Sequence, residues 1–310
     1  MPALITHHIF GEDVIASLPD GIVSGEEEKL AFLLANQGPD PLLARFSTLP
    51  ATARACHRLA RLIQGGCVTR AFWALRDGVS RLPASDEGVG RAFALGFLGH
   101  YALDRAAHPL VVSQQRALAE VDRTLASVAR DVHAVIESDI DSWILWEKRG
   151  ATVLERPAAG NLMRTERIER VGGALVSQLS LAVFGIGLGA REYAGSVRDL
   201  ERAYRLIDPA ESPRARAVGA LERLARGHSW AAAAAHYVRR CEDCPAANLD
   251  CLPWRDPFTG RVRTESLADL FDEARLSYPA LAEAYVRGDR EGFRRLVGGL
   301  DYAGRPGTDD

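Results

Sequence analysis

The sequence predicts an all-α fold. Apolar residues recur at helical spacing through most of the 310-residue chain, no segment sustains the alternation of a half-buried strand, and alanine, leucine and arginine dominate the composition. The length permits one large core or two small ones, and a hydrophobic content of 47% is ordinary for a folded chain. The expected architecture is a single multi-helix domain over residues 1–300, with 301–310 as a short, polar, flexible tail.

In chain order the pattern predicts helices over Gly11–Ala16, Gly25–Asn36, Ala51–Ile63, Glu87–Ala107, Ser113–Lys148, Arg164–Gly195, Ser196–Leu206, Pro213–Arg240, Leu267–Arg287 and Arg290–Leu300. Gly38-Pro39-Asp40-Pro41 breaks the chain, because each proline fixes its own φ and pushes the preceding residue out of the helical region. Asp40 is thereby presented from a stiff loop. Pro109 reads as a turn or the first position of another helix. Glu155–Leu162, with Pro157 and Gly160, separates residues 1–150, which hold six of the eight histidines, from a supporting half and lid over 160–300.

The formal net charge is -3 and both signs are scattered, so no cationic stripe is available to track a phosphate backbone and no stable nucleic-acid partner is expected. No basic region followed by an apolar one opens the chain, which reads as cytoplasmic residence. The most apolar stretch, Leu175–Ala190, is broken by Gln178 and several glycines and falls short of the roughly 20 residues of a membrane span. Five cysteines suit free thiols or metal ligands in such a chain. Cys241-Glu-Asp-Cys244 with Cys251 is similar to part of a thiolate zinc site, but a closed site takes about four ligands, so free thiols are the simpler reading.

The chemistry-bearing residues lie in the first half. His100, Asp104 and His108 are spaced four apart, and each four-residue step turns only about 40° around a helix, so one stripe presents imidazole, carboxylate, imidazole. His133 and Glu137 repeat the step on a second helix. Either pair alone reads better as capped or salt-bridged surface side chains; together they form two ligand-bearing helices that could clamp a metal, and nitrogen with carboxylate oxygen suits zinc. His7, Asp40 and His57 lie in three further elements. Tyr101, His228 and His236 read as structural, His8 as a bystander, Arg105 as a surface salt bridge, and Asp139 and Asp141 as solvated or as orienting a ligating imidazole.

Thr6-His7 with Phe10-Gly11, the Asn36-to-Asp40 loop, His57, the His100/Asp104/His108 stripe, His133/Glu137 and the later Asn248-Leu249, Trp254, Pro257 and Ser266-to-Leu270 stand in an order that resembles the bacterial zinc-dependent phospholipase C family. The related nucleases of the S1/P1 type share much of that ligand order. The resemblance implies a helical domain holding about two or three zinc ions. It places Asp40, His57, His100 and Asp104 at one ion, His108, His133 and Glu137 at a second, and His7 at a third, with Asp104 bridging. It further implies hydrolysis of a phosphodiester or phospholipid-like small molecule, with Asp40 as general base as well as ligand. An S1/P1-type phosphodiesterase and a non-catalytic zinc-binding helical protein are the alternatives.

Overall fold

The computed structural model describes residues 3–18, 21–240 and 243–307. Helix accounts for 71% of the structure and strand for 2%, which settles the all-α class. Among the described residues there are twelve α-helices: α1 (Leu4–Val14), α2 (Glu26–Ala35), α3 (Pro50–Gln64), α4 (Val68–Val79), α5 (Ala84–Val121), α6 (Ala129–Arg149), α7 (Glu166–Phe184), α8 (Arg191–Ile207), α9 (Pro213–Arg226), α10 (Trp230–Ala234), α11 (Leu267–Arg287) and α12 (Arg290–Val297). The short strands β1 (Trp254–Arg255) and β2 (Val262–Arg263) pair antiparallel as a hairpin before α11. No described helix is long and apolar enough to cross a membrane.

Helix α5 is the axis of the molecule. Its 38 residues span about 57 Å, and α1, α2, α4, α6, α7 and α11 all pack on it around one continuous apolar core running from Leu4 to Tyr302. The crossing with α2 is unusually close. A Cβ on Gly96 would stand 2.1 Å from the Phe32 carbonyl oxygen, and one on Gly99 would stand 2.5 Å from Asn36 Oδ1. Small residues on this face of α5 therefore bring the loop after α2, and with it Asp40, onto the stripe that begins at His100.

Helix α1 begins earlier than its apolar pattern indicates, at Leu4, so His7 and His8 are helical. The side chain of its N-cap residue, Ala3, makes no capping bond. The cap comes instead from α6, where Asp141 accepts the Ile5 N–H at 3.0 Å, the Thr6 N–H at 2.8 Å and the Thr6 hydroxyl at 2.6 Å. Buried His236, just beyond α10, lies 3.1 Å from Asp141 through Nε2 and 2.8 Å from Asp208 through Nδ1.

Several expectations are corrected. Pro109 does not make a turn; it lies inside α5. Lacking an N–H, it cannot bond to the Arg105 carbonyl, and Gly304 packs so closely there that a Cβ would come within 2.5 Å of that oxygen. The tail is accordingly ordered through residue 307: Tyr302 is buried, its N–H donates to the Gln64 carbonyl, and Leu300 pairs with Pro306. The helix expected over Ser113–Lys148 is two, broken where Asp122 caps the turn at Thr124. Gly185 and Gly227, both at positive φ, end α7 and α9 inside stretches read as continuous. Helix α4 was not expected.

Replacing Gly96 by alanine should force α2 away from α5, at a cost of about 2 kcal/mol for an overpacked contact; the urea midpoint should fall with an unchanged slope. A second expectation concerns pH. Burial alone would lower the affinity of His236 for its proton, but Asp208 and Asp141 overcome that and raise its pKa from 6.5 to about 10. Its folded pKa lies above the unfolded value, so its contribution is complete below about pH 6.5 and is lost as pH rises through about 10. In chelator, the stability gap between the natural protein and His236→Gln should narrow across that window; a constant gap would refute the charged imidazole.

Candidate metal centre

Seven of the eight sequence-predicted ligands converge. His100, Asp104 and His108 lie on one face of α5, His133 and Glu137 on α6, His7 on α1, and Asp40 opens the 3-10 segment Asp40–Ala44. They form two adjoining groups, and within each the ligand atoms all lie within 4.8 Å of one another. The inner group is His7, His100 and Asp104; the outer is His108, His133 and Glu137. Asp104 joins them. Its carboxylate is 3.1 Å from His7 Nε2, 3.1 Å from His100 Nε2 and 3.3 Å from His108 Nδ1. Asp40 borders the inner group, 3.9 Å from His100 Nε2. In the outer group Glu137 Oε1 lies 3.2 Å from His133 Nε2 and 3.8 Å from His108 Nε2.

His57 is the exception. Its Nε2 meets the Arg45 carbonyl at 3.1 Å and it belongs to neither group. Gln64, seven residues on and so on nearly the same face of α3, reaches the cluster instead, its amide donating to Asp40 Oδ1 at 2.6 Å. Seven residues are about 10 Å of helix rise, so His57 lies on the right stripe but too far along it.

The two rings that matter most are held from behind. The Asn36 carbonyl can only accept, so His100 donates from Nδ1, at 3.0 Å, and turns Nε2 toward Asp104 and Asp40. His133 likewise gives Nδ1–H to Gln115 Oε1 at 2.9 Å and turns Nε2 toward Glu137. Gly38 sits at φ +52, and a Cβ there would come within 2.3 Å of the His100 ring; only glycine combines that backbone with that approach. Tyr193 fixes the same loop by donating to the Gly38 carbonyl at 3.0 Å. No motif in the sequence marks Gln64, Gln115 or Tyr193; Gly38, between helix and proline, was the one visible sign.

The electrostatics of the cluster suit a cation. Burial raises the pKa of Asp40, whereas Asp104, despite its burial, is held well below the carboxylate range by His100 and His108. Against the same burial, Asp104 and Asp40 raise His100, Asp104 and Glu137 raise His108 to about 9, and His133 lowers Glu137 to about 2. His7 goes the other way, lowered by burial and by the stacked His100 ring 4.0 Å away. Protons on the imidazoles thus balance the carboxylates. His7 Nδ1 is buried without a hydrogen bond, and His100 Nε2 and His108 Nδ1 have only the Asp104 carboxylate opposite them, an arrangement that coordination would satisfy. The donor set is nitrogen and oxygen without sulfur, which fits a divalent ion such as zinc.

The two groups differ in access. His7, His100, Asp104 and Asp40 are all buried, whereas the side chains of His108 and His133 are 19% and 18% exposed. Concavities between α9 and α10 and beside Glu147 involve none of these residues. The remaining candidates are accounted for elsewhere. Among the described residues Arg105 makes no salt bridge; it donates to the Leu296 carbonyl and covers the buried Tyr101 ring. Asp139 lies near Arg239, and Asp141 meets no ring nitrogen of either group directly, being occupied by the first turn of α1 and by His236. Cys241 lies outside the described residues; Cys244 is buried, Cys251 exposed, and neither joins a metal-binding group among those described.

None of the family models, curated proteins or solved structures compared with the chain matches it. Fold and site define an all-α protein with two adjoining histidine and carboxylate groups that could hold metal ions.

Gln115→Leu deletes the acceptor behind His133. It should weaken divalent-ion binding at the outer group by about 10–100-fold, measured by chelator competition, and leave the unfolding midpoint in chelator nearly unchanged. Equal affinities would exclude an orienting role for Gln115.

Proposed function

We propose that the protein is a zinc-dependent phosphodiester hydrolase of the phospholipase C type. The observation that carries this reading is the shared carboxylate of Asp104, set between an enclosed His7/His100 group and a half-open His108/His133/Glu137 group. Paired sites of this kind suit phosphodiester hydrolysis, in which attacking and leaving oxygens both carry developing charge. Zinc bound there would supply Lewis acidity and lower the pKa of a coordinated water toward about 7.

The chain's own residues divide the remaining work. The partly exposed edges of His108 and His133 are where a phosphate can approach. Asp40, with one oxygen held by Gln64, is the candidate to take the proton as the water oxygen bonds to phosphorus. The phosphorus–oxygen bond to the leaving group then breaks, and the departing oxygen takes up a proton. Asn36 and Gln115 keep their imidazoles in the tautomer that offers Nε2. The net charge of -3 supports a small phosphodiester over a nucleic acid. The burial of the inner group favours a second reading for that half alone: an ion there contributes folding energy rather than chemistry.

Metal analysis of gently purified protein should find about two zinc ions per chain, with metal-dependent hydrolysis of a model phosphodiester and of phospholipid vesicles. Asp104→Asn should reduce both ion content and hydrolysis, the latter by about 100-fold or more. Protein that retains no divalent ion would sink the proposal. Cleavage of single-stranded DNA with phospholipid untouched would move it to the S1/P1 type, and full ion content with no hydrolysis would leave a structural centre.

A further inference from the structure

The geometry points to Asp141, His236 and Asp208 as a positioning network that holds His7 at the inner metal group. This inference rests on the reading of that group as a metal site. Its starting point is the first turn of α1. A helix opens with N–H groups that lack intrahelical partners, and Ala3 offers no side chain to cap them. Asp141 does so from another helix. Its Oδ1 takes the Thr6 N–H and hydroxyl, and its Oδ2 takes the Ile5 N–H and lies 3.1 Å from His236 Nε2. The next residue is His7, whose Nε2 lies 3.1 Å from Asp104.

The clamp is itself clamped. Asp208 grips His236 twice, one oxygen taking the backbone N–H at 3.0 Å and the other facing Nδ1 at 2.8 Å, while the Tyr204 ring stacks on the imidazole with centroids 5.4 Å apart. His236 is 1% exposed and Asp141 0%. A buried ionic set of this kind is often no more stabilising than apolar residues of equal volume, so its use here is geometric. Asp141 follows Glu137 by four residues, as Glu137 follows His133, so one stripe of α6 carries two outer ligands and then the clamp for the inner one. The spacing between the groups is thereby tied to a single rigid helix.

A network that positions His7 and one that merely stabilises the fold predict different ion contents. The full-length protein is purified with its metal, and ions per chain are counted for the natural protein, His7→Ala, His236→Leu, His236→Gln, the double variant His7→Ala/His236→Leu, and His133→Ala as the outer-group control. His236→Leu should lose the same increment as His7→Ala, about one ion per chain, and the double variant should lose no more than either. His236→Gln, which can still donate to Asp141, should recover part of it. Asp208→Asn is a milder lesion at the far end of the network and serves should His236→Leu fail to fold; its ion affinity should fall at the inner group only. Unchanged ion content in His236→Leu or Asp208→Asn, with only the unfolding midpoint in chelator lowered, overturns the inference while leaving the metal centre intact. Loss of both groups' ions overturns it too. A natural protein that binds no divalent ion removes the metal centre and the inference together.

Discussion

Everything at the centre of this molecule follows from a carboxylate that cannot be left alone. Asp104 is 4% exposed, midway along a helix packed on nearly every side, and Asp40 and Glu137 are buried close by. Removing such charges from water costs several kcal/mol per ion unless something positive stands opposite. Among the described residues the ion-pair partners of these three carboxylates are imidazoles. Imidazole can balance a carboxylate only by carrying a proton, yet both nitrogens of a ring cannot be protonated and still leave a lone pair for coordination. The same residues could thus be stable either as a protonated network or around divalent ions, and in both cases Asn36 and Gln115 hold Nδ1 and keep Nε2 turned toward the carboxylates.

Bringing four elements around one cluster demands close backbone approach, which explains the glycines. Without the bare faces at Gly96 and Gly99, α2 could not lie against α5, and the Asn36 carbonyl would not reach His100. Without Gly38 the following loop would collide with the ring it supports. The C-terminal segment closes the same region from the opposite side. Pro109 leaves a carbonyl free on α5, Gly304 covers it, and Tyr302 is carried in against the His100 ring, with centroids 5.8 Å apart. A proline that would ordinarily end a helix is here part of the arrangement that builds the enclosed side of the site.

These contrasts mark what a sequence can disclose. The His100/Asp104/His108 and His133/Glu137 stripes were legible because four-residue spacing is a local property that any α-helix converts into one face. Helical periodicity also disclosed the class. His57 misled because periodicity reports the face of a helix and not the height at which a partner crosses it; Gln64, equivalent in angle, lies at the crossing. The tail was misread because glycine and polar composition describe a segment without its neighbours, whereas Tyr302 packs against His100 and Tyr101, some 200 positions earlier. Asp141 and His236 are each ordinary in sequence; only the fold joins them, across 95 residues.

The asymmetry between the two groups gives the centre a direction. An ion held by His7, His100 and Asp104 would be screened from solvent by α1 and the C-terminal segment, so it would exchange slowly and its field would be little attenuated. An ion at His108, His133 and Glu137 would face outward between α5 and α6, where water can complete its coordination. Because Asp104 touches both groups, a charge placed at the inner site alters the donor strength available to the outer one. An ion in the enclosed half would therefore bias the donors of the open half through the shared carboxylate, which gives a physical reason for an otherwise costly set of buried carboxylates to extend so deep into the core.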